Sequence, residues 1–157
     1  MDDELERYHR EQASAYMKRI RDARRHIAAL NAEIEEHRAM ASGLQGIDYS
    51  RVLVKTSPSA DAIPDAVARL LDVIGERVEL VREYTMMLEE CGRALTELDG
   101  TYADILRYRY VCDYSWEQIA CKVNFTEAYC YELHGQALVA FYDHMPAHER
   151  DPVQRAI

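Results

Sequence analysis

Two pairs of side chains in this chain of 157 residues have spacings that catalysis or metal binding could use. Cys130 and His134 are four residues apart on a predicted helix, where a thiol and an imidazole on one face could form a nucleophile and its base. His144 and His148 have the spacing of two helical metal ligands, but Pro146 lies between them and breaks the helix. Cys130 has the pattern of a buried residue. We therefore interpret both spacings as chance and expect no enzyme activity, no metal site and no cofactor.

The composition favours a soluble all-α protein. Hydrophobic residues make up 48% of the chain and charged residues 30%, with a net charge of −9. No apolar run approaches the roughly 18 residues that a membrane span needs. Six glycines and four prolines are too few for the many turns of an all-β fold. The N-terminus is charged, unlike a secretory signal, and the four cysteines contain no C-x-x-C pair. We expect a cytoplasmic protein with reduced thiols and no membrane contact.

Two long helices are predicted in the first two thirds of the chain. Residues 4–41 and about 64–98 carry apolar side chains at helical spacing, and residues 42–64, rich in glycine, proline and serine, connect them. We expect an antiparallel hairpin over residues 1–98 that serves as a dimerisation arm. The predicted apolar stripes are Tyr16, Ile20, Ala23, Ile27, Leu30 and Ile34 on the first helix, and Val67, Leu70, Ile74, Val78, Val81, Leu88 and Leu95 on the second.

Three shorter helices are predicted next, over residues 102–111, 116–123 and 127–142. Asp99-Gly100 is expected to end the second long helix, so residues 99–145 form a separate module and residues 146–157 a frayed polar tail. The last two helices and the turn between them have the spacing of a helix-turn-helix. The predicted buried stripe of the last helix is Cys130, Leu133, Ala137, Leu138 and Phe141.

Local signals define the ends of these short helices. Ser115 and Thr126 are good N-cap residues, and Gln118 can complete a capping box with Ser115. Asn124 can adopt the left-handed conformation that ends a helix, and Phe125 is expected to fill the corner of the turn.

The motifs ILRYRYV, SWEQIA and YELHGQAL, within residues 102–142, resemble region four of bacterial sigma factors. Together with the order of two long helices around a loop that contains Ser-Pro, they resemble phage and prophage proteins of the ArpU/RinA type, which are described as late transcription regulators. The resemblance covers most of the chain, and its specific motifs lie in the last third. It implies an all-α fold and a role in DNA binding or transcription.

This resemblance places a recognition helix at Glu127. Related families tend to have Arg or Lys where this chain has Glu127 and Glu132, and two carboxylates oppose a polyanion without releasing counterions. We therefore expect weak binding to double-stranded DNA and no small-molecule substrate. The alternatives are a protein-interaction module that binds RNA polymerase or another phage protein, and a packaging protein like a small terminase subunit. The residues expected to contact DNA are Thr126, Glu127, Ala128, Tyr129, Glu132 and Gln136.

Charged stripes are predicted on both long helices, opposite their apolar stripes. The main interpretation is that each stripe is a solvated face. In the alternative, the basic stripe contacts DNA phosphates, an acidic partner, or the acidic stripe of a second subunit in a homodimer. The basic stripe is Arg7, Arg10, Lys18, Arg21 and Arg25, and the acidic stripe is Asp65, Asp72, Glu76, Glu79, Glu83, Glu90 and Glu97.

Overall fold

A computed structural model of the protein describes residues 2–45 and 62–150, and over these residues it is helical with no strand, which confirms the predicted all-α class. Residues 46–61 of the predicted connection and 151–157 of the predicted tail lie outside the described residues. None of the described helices is both long and apolar enough to cross a membrane. The elements are α1 (Asp3–Gln45), α2 (Ala62–Thr96), α3 (Gly100–Leu106), a π-helical segment (Arg107–Val111), α4 (Trp116–Val123), α5 (Glu127–Tyr142) and a 3-10 turn (Ala147–Glu149).

The prediction that Asp99-Gly100 ends the second long helix is wrong. α2 ends at Thr96, before Asp99 and Gly100. Asp99 instead begins α3, because its carboxylate accepts a hydrogen bond from the backbone N–H of Thr101 at 3.1 Å. An aspartate at this position satisfies one of the free N–H groups at a helix start, so Asp99-Gly100 is a start signal.

The capping signals around α4 and α5 are confirmed. The Ser115 hydroxyl accepts a hydrogen bond from the N–H of Gln118 at 3.2 Å, and the Gln118 side chain accepts one from the N–H of Ser115 at 2.9 Å. The Thr126 hydroxyl accepts a hydrogen bond from the N–H of Tyr129 at 3.2 Å. Asn124, with φ of 60° and ψ of 42°, ends α4 in the left-handed conformation. These contacts fix the turn between α4 and α5.

The contacts divide the chain into two units, residues 1–25 with 85–157, and residues 26–84. These bounds differ from the predicted division near residue 98, because the first part of α1 and the last part of α2 share a core with the C-terminal helices. The predicted buried stripe of α5 is confirmed. The main core of the first unit is formed by Ala13, Tyr16, Met17, Ile20, Cys91, Leu95, Leu106, Tyr110, Ala137, Leu138, Phe141, Tyr142 and Met145.

A smaller core lies beneath α4 in the same unit. Ile105, Ile119, Cys130 and Leu133 are buried there, and the partly buried side chain of Trp116 packs against them. The core therefore joins α3, α4 and α5. These contacts leave Glu127, Ala128 and Tyr129, at the start of α5, exposed.

The predicted frayed tail is wrong for residues 146–150. Arg19 on α1 forms a salt bridge with Glu149 at 2.8 Å, and His148 contacts the Glu90 carboxylate on α2 at 2.8 Å. These contacts join residues far apart in the sequence, which explains why the polar composition of this segment did not reveal them.

The second unit pairs residues 26–45 of α1 with residues 62–84 of α2. The rings of His26 and Tyr84 lie 5.3 Å apart, and Arg77 forms a salt bridge with Glu33 at 2.9 Å. Contacting residues thus follow one another in opposite order along the two helices. Among the described residues of this unit, the buried ones are Ile34, Ala41, Val67 and Ile74.

We expect the left-handed backbone conformation of Asn124 to make stability depend on the residue type at this position. Asn124→Ala should lower the free energy of unfolding by about 1 kcal/mol, because local hydrogen bonding of the asparagine side chain makes positive φ tolerable and alanine lacks that side chain. Asn124→Gly should leave it unchanged or slightly raised, because glycine has no steric penalty at positive φ. Urea denaturation followed by circular dichroism measures both values. An equal loss in the two variants would contradict this explanation.

Candidate functional site

The start of α5 presents together most of the residues that were expected to contact DNA. Thr126, Glu127, Ala128, Tyr129 and Glu132 are all exposed. Within residues 2–45 and 62–150, neither glutamate forms an ion pair. Glu127 occupies the first turn of α5, where a carboxylate interacts favourably with the helix dipole. The charge that stabilises this helix start therefore also opposes a nucleic-acid phosphate.

Gln136 lies two helical turns after Tyr129, on the same side of α5. Its side-chain oxygen accepts a hydrogen bond from the Tyr102 hydroxyl at 3.0 Å. This hydrogen bond occupies one of the two acceptor positions of the oxygen and does not use the two amide N–H donors of Gln136. This arrangement favours contact with an acceptor such as a phosphate oxygen over a bidentate contact with adenine.

Two aromatic rings extend the exposed face at the turn. Phe125 is 42% exposed and Tyr129 44%, and their rings meet edge to face with centroids 4.9 Å apart. The expectation that Phe125 fills the corner is therefore wrong. Ala120 and Val123 pack against the small core instead, so the corner has no need of the larger ring.

The basic stripe of α1 is divided by its contacts. Arg25 forms two hydrogen bonds of 3.0 Å with the carboxylate of Asp113, a residue with φ of 58°. The Arg21 guanidinium lies 5.7 Å from the centre of the Tyr110 ring. Both arginines thus contact the C-terminal segments of their own unit, and the prediction of a free outer stripe is wrong for them. The three remaining members, Arg7, Arg10 and Lys18, are exposed.

The acidic stripe on α2 is divided in the same way. Glu90 contacts His148, and Glu97 lies 3.7 Å from His144. The two histidines therefore face different carboxylates. Glu79 lies 3.9 Å from Arg82, its neighbour on the same helix. The other members of the stripe, Asp65, Asp72, Glu76 and Glu83, are exposed.

Cys130 and His134, the other pair singled out by spacing, have different surroundings. Cys130 is fully buried in the small core, as expected, and its burial raises the pKa of the thiol. His134 forms a hydrogen bond of 2.7 Å with the Tyr110 hydroxyl. Among the described residues, no group of three or more His, Cys, Asp or Glu side chains is placed to hold a metal ion.

His134 belongs to an aromatic cluster that sequence reasoning missed. Its ring meets the Trp116 ring edge to face at 4.8 Å, and the Arg109 guanidinium lies 4.8 Å from the centre of the Trp116 ring. Burial, together with the positive charges of Arg109, Lys18 and Arg10, lowers the pKa of His134 to about 4. His134 is therefore neutral at physiological pH.

A groove beside this cluster was also missed. It has a volume of about 540 Å³ and separates the first part of α1 from the middle of α5. The basic stripe was the one sequence signal near it, because Arg10 and Lys18 belong to both. No local pattern in the sequence indicates which helix lies opposite these cations.

Comparison of the chain with protein-family models, curated proteins and solved structures finds no match. The role expected from the resemblance to ArpU/RinA proteins therefore stays a prediction.

The low pKa of His134 predicts a loss of stability in acid. Between about pH 6.5 and pH 4 the unfolded chain binds a proton at His134 that the folded protein does not bind. The free energy of unfolding should therefore fall as the pH falls through this window. The variant His134→Phe should reduce that fall, because it keeps a ring beside Trp116 and removes the titrating group.

Urea denaturation at about pH 7 and about pH 4.5 tests this expectation. His26→Phe is the control, because His26 is an exposed histidine of the other unit. Its pH dependence should match that of the unmodified protein. The same pH dependence in His134→Phe and the unmodified protein would exclude His134 as the cause.

Proposed function

We propose that the protein is a phage-type transcription regulator whose α4, turn and α5 form a helix-turn-helix that contacts double-stranded DNA. The observation that supports this function best is the exposure of the whole start of α5. Cys130, Leu133 and Ala137 anchor the helix from one side, and Thr126 and Tyr129 lie exposed at its N-terminal end. Helix-turn-helix proteins place the N-terminal residues of this helix against base edges.

The same face explains why the proposed DNA affinity is weak. Most of the free energy of non-specific DNA binding comes from cations that neutralise phosphates and release counterions. Glu127 and Glu132 supply the opposite charge. Contacts with DNA would therefore come from uncharged donors, namely the hydroxyl groups of Thr126 and Tyr129 and the amide of Gln136.

A protein partner is the second candidate for this face. Phe125 and Tyr129 expose aromatic surface next to two carboxylates, and aromatic residues are enriched at protein interfaces. RNA polymerase or another phage protein with a basic, apolar surface would be complementary. In this case the helix-turn-helix would serve as a docking module.

The finer architecture that we propose is a long helical hairpin over residues 1–98 followed by the helix-turn-helix module, with two copies joined through the second unit. Over residues 26–45 and 62–84, the described part of this unit, few side chains are buried. Leu71 and Val78 are one heptad apart on α2 and are 52% and 38% exposed, next to the buried Ile74. A paired set of helices usually needs a wider apolar stripe in contact, and a second copy would cover it.

Charge reversal on α5 tests the contact with DNA. The full chain should bind random duplex DNA more weakly than about 1 μM at physiological salt, and Glu127→Lys with Glu132→Lys should strengthen binding at least tenfold. Fluorescence anisotropy with a labelled duplex measures both affinities. The matched control is Glu89→Lys with Asp104→Lys, which makes the same change in net charge at exposed positions on α2 and α3.

The comparison of these double variants separates a local contact from a general charge effect. A larger gain at Glu127 and Glu132 than in the control would support contact between α5 and DNA. Equal gains, or none, would show that this face does not meet DNA and would favour the protein partner.

Sedimentation tests the proposed dimer. At roughly tens of micromolar the unmodified chain should be a dimer or larger, and Leu71→Glu with Val78→Glu should make it monomeric by placing charges in the apolar contact. The control is Leu80→Glu, because Leu80 is also exposed but lies on the opposite side of α2. A monomeric unmodified chain would refute the dimer, and dissociation by Leu80→Glu would refute the proposed face.

A further inference from the structure

The groove between α1 and α5 combines an apolar surface with positive charge. Arg10, Ser14 and Lys18 line one wall at intervals of four residues, which places them on one side of α1. The opposite wall belongs to α5, where Tyr131 is 60% exposed and Leu138, which is 2% exposed, lies at the base of the groove as part of the main core. Ala15 and Glu11 complete the α1 wall, and His134 and Gly135 complete the α5 wall.

The two cations of the groove differ from other basic residues of α1 in their ion pairing. Within the described residues, neither Arg10 nor Lys18 forms an ion pair, in contrast to Arg25 and Arg19 on the same helix. Glu11 offsets one of the two charges, which leaves the lining with a net positive charge in a protein of net charge −9.

Gly135 shapes the groove next to Arg10. A Cβ at this position would lie 3.7 Å from Nε of Arg10, so the guanidinium extends across the α5 backbone where a longer side chain would otherwise project. Further along, Ser14 and Lys18 adjoin the neutral ring of His134, whose hydrogen bond to Tyr110 fixes its orientation. The α5 wall is therefore positioned by the hydrogen bond of His134, and the cations of α1 lie at the exposed edge of the groove.

We propose that this groove binds a small molecule that has one anionic end, a carboxylate or a phosphate, and an apolar, planar body. The anionic end lies between Arg10 and Lys18, and the body packs on the exposed Tyr131 ring. The volume of about 540 Å³ falls within the range of small-molecule sites, which combine a mainly apolar lining with a few polar groups. This binding site does not depend on the proposed contact with DNA.

Titration of the full chain with small probes tests the proposal, with amide chemical shifts as the readout. The probes are 3-phenylpropionate and phenyl phosphate, which distinguish a carboxylate from a phosphate, and the uncharged 3-phenylpropionamide. We expect saturable shifts at the amides of Ser14, Tyr131 and Gly135, with at least one anion binding tenfold or more tightly than the amide. Absence of saturable shifts at these residues, or equal binding of anions and amide, would overturn the proposal.

Substitutions identify the groups that recognise the anion. Lys18→Glu and Arg10→Glu should each weaken binding of the preferred anion at least tenfold. The matched control is Arg93→Glu, an equal charge change at an exposed position on α2 that does not line the groove, and it should change affinity less than twofold. Lys18→Gln and Arg10→Gln replace the glutamate variants if these fail to fold, with a smaller loss in the same direction. Equal losses in the groove and control variants would overturn the assignment.

Discussion

The burial of the apolar stripe of α5 beneath the first part of α1 is the contact on which the rest of the first unit depends. α4, the turn and α5 form a small core around Ile119 and Cys130, too small to cover both sides of a helix of 16 residues. Ala13 and Met17 cover Ala137 and Phe141 from the other side, and all four are completely buried. Because burial of apolar surface is the main favourable term in folding, α1 is required for α5 to keep its position.

Polar contacts then fix the orientation that this packing allows. The Tyr110 hydroxyl and the His134 ring are joined by a hydrogen bond at the edge of the core, and a buried polar group without a partner would be costly. The π-helical segment Arg107–Val111 places Tyr110 inward. The two hydrogen bonds of Arg25 with Asp113 connect α1 to the segment just before α4. Asp113 itself has a positive φ. α3, α4 and α5 are thus each tied to α1 directly or through one neighbour.

The separation of charge on α5 and α1 gives their two surfaces different chemistry. The start of α5 is acidic and aromatic, and the helix dipole stabilises Glu127 there. Two of the cations that remain exposed on α1, Arg10 and Lys18, line a groove whose other wall is the middle of α5, and they lie near His134, which is neutral at physiological pH. A nucleic acid or protein would meet the first surface, whereas the second has the size and charge for a small anion. One helix therefore contributes to both proposed sites with different residues.

The sequence by itself determined the features that depend on neighbouring residues. Helical periodicity and N-cap chemistry gave the all-α class, the bounds of α4 and α5, the capping box at Ser115 and the left-handed Asn124. The exposed start of α5 followed from the same periodicity. Only the tertiary structure decided which helix packs along the basic stripe, and with it the groove, the ordered contacts of residues 146–150 and the exposure of Phe125. The Arg25–Asp113 and Tyr110–His134 contacts join residues 88 and 24 positions apart, and such partners depend on how whole helices pack, which local spacing does not encode.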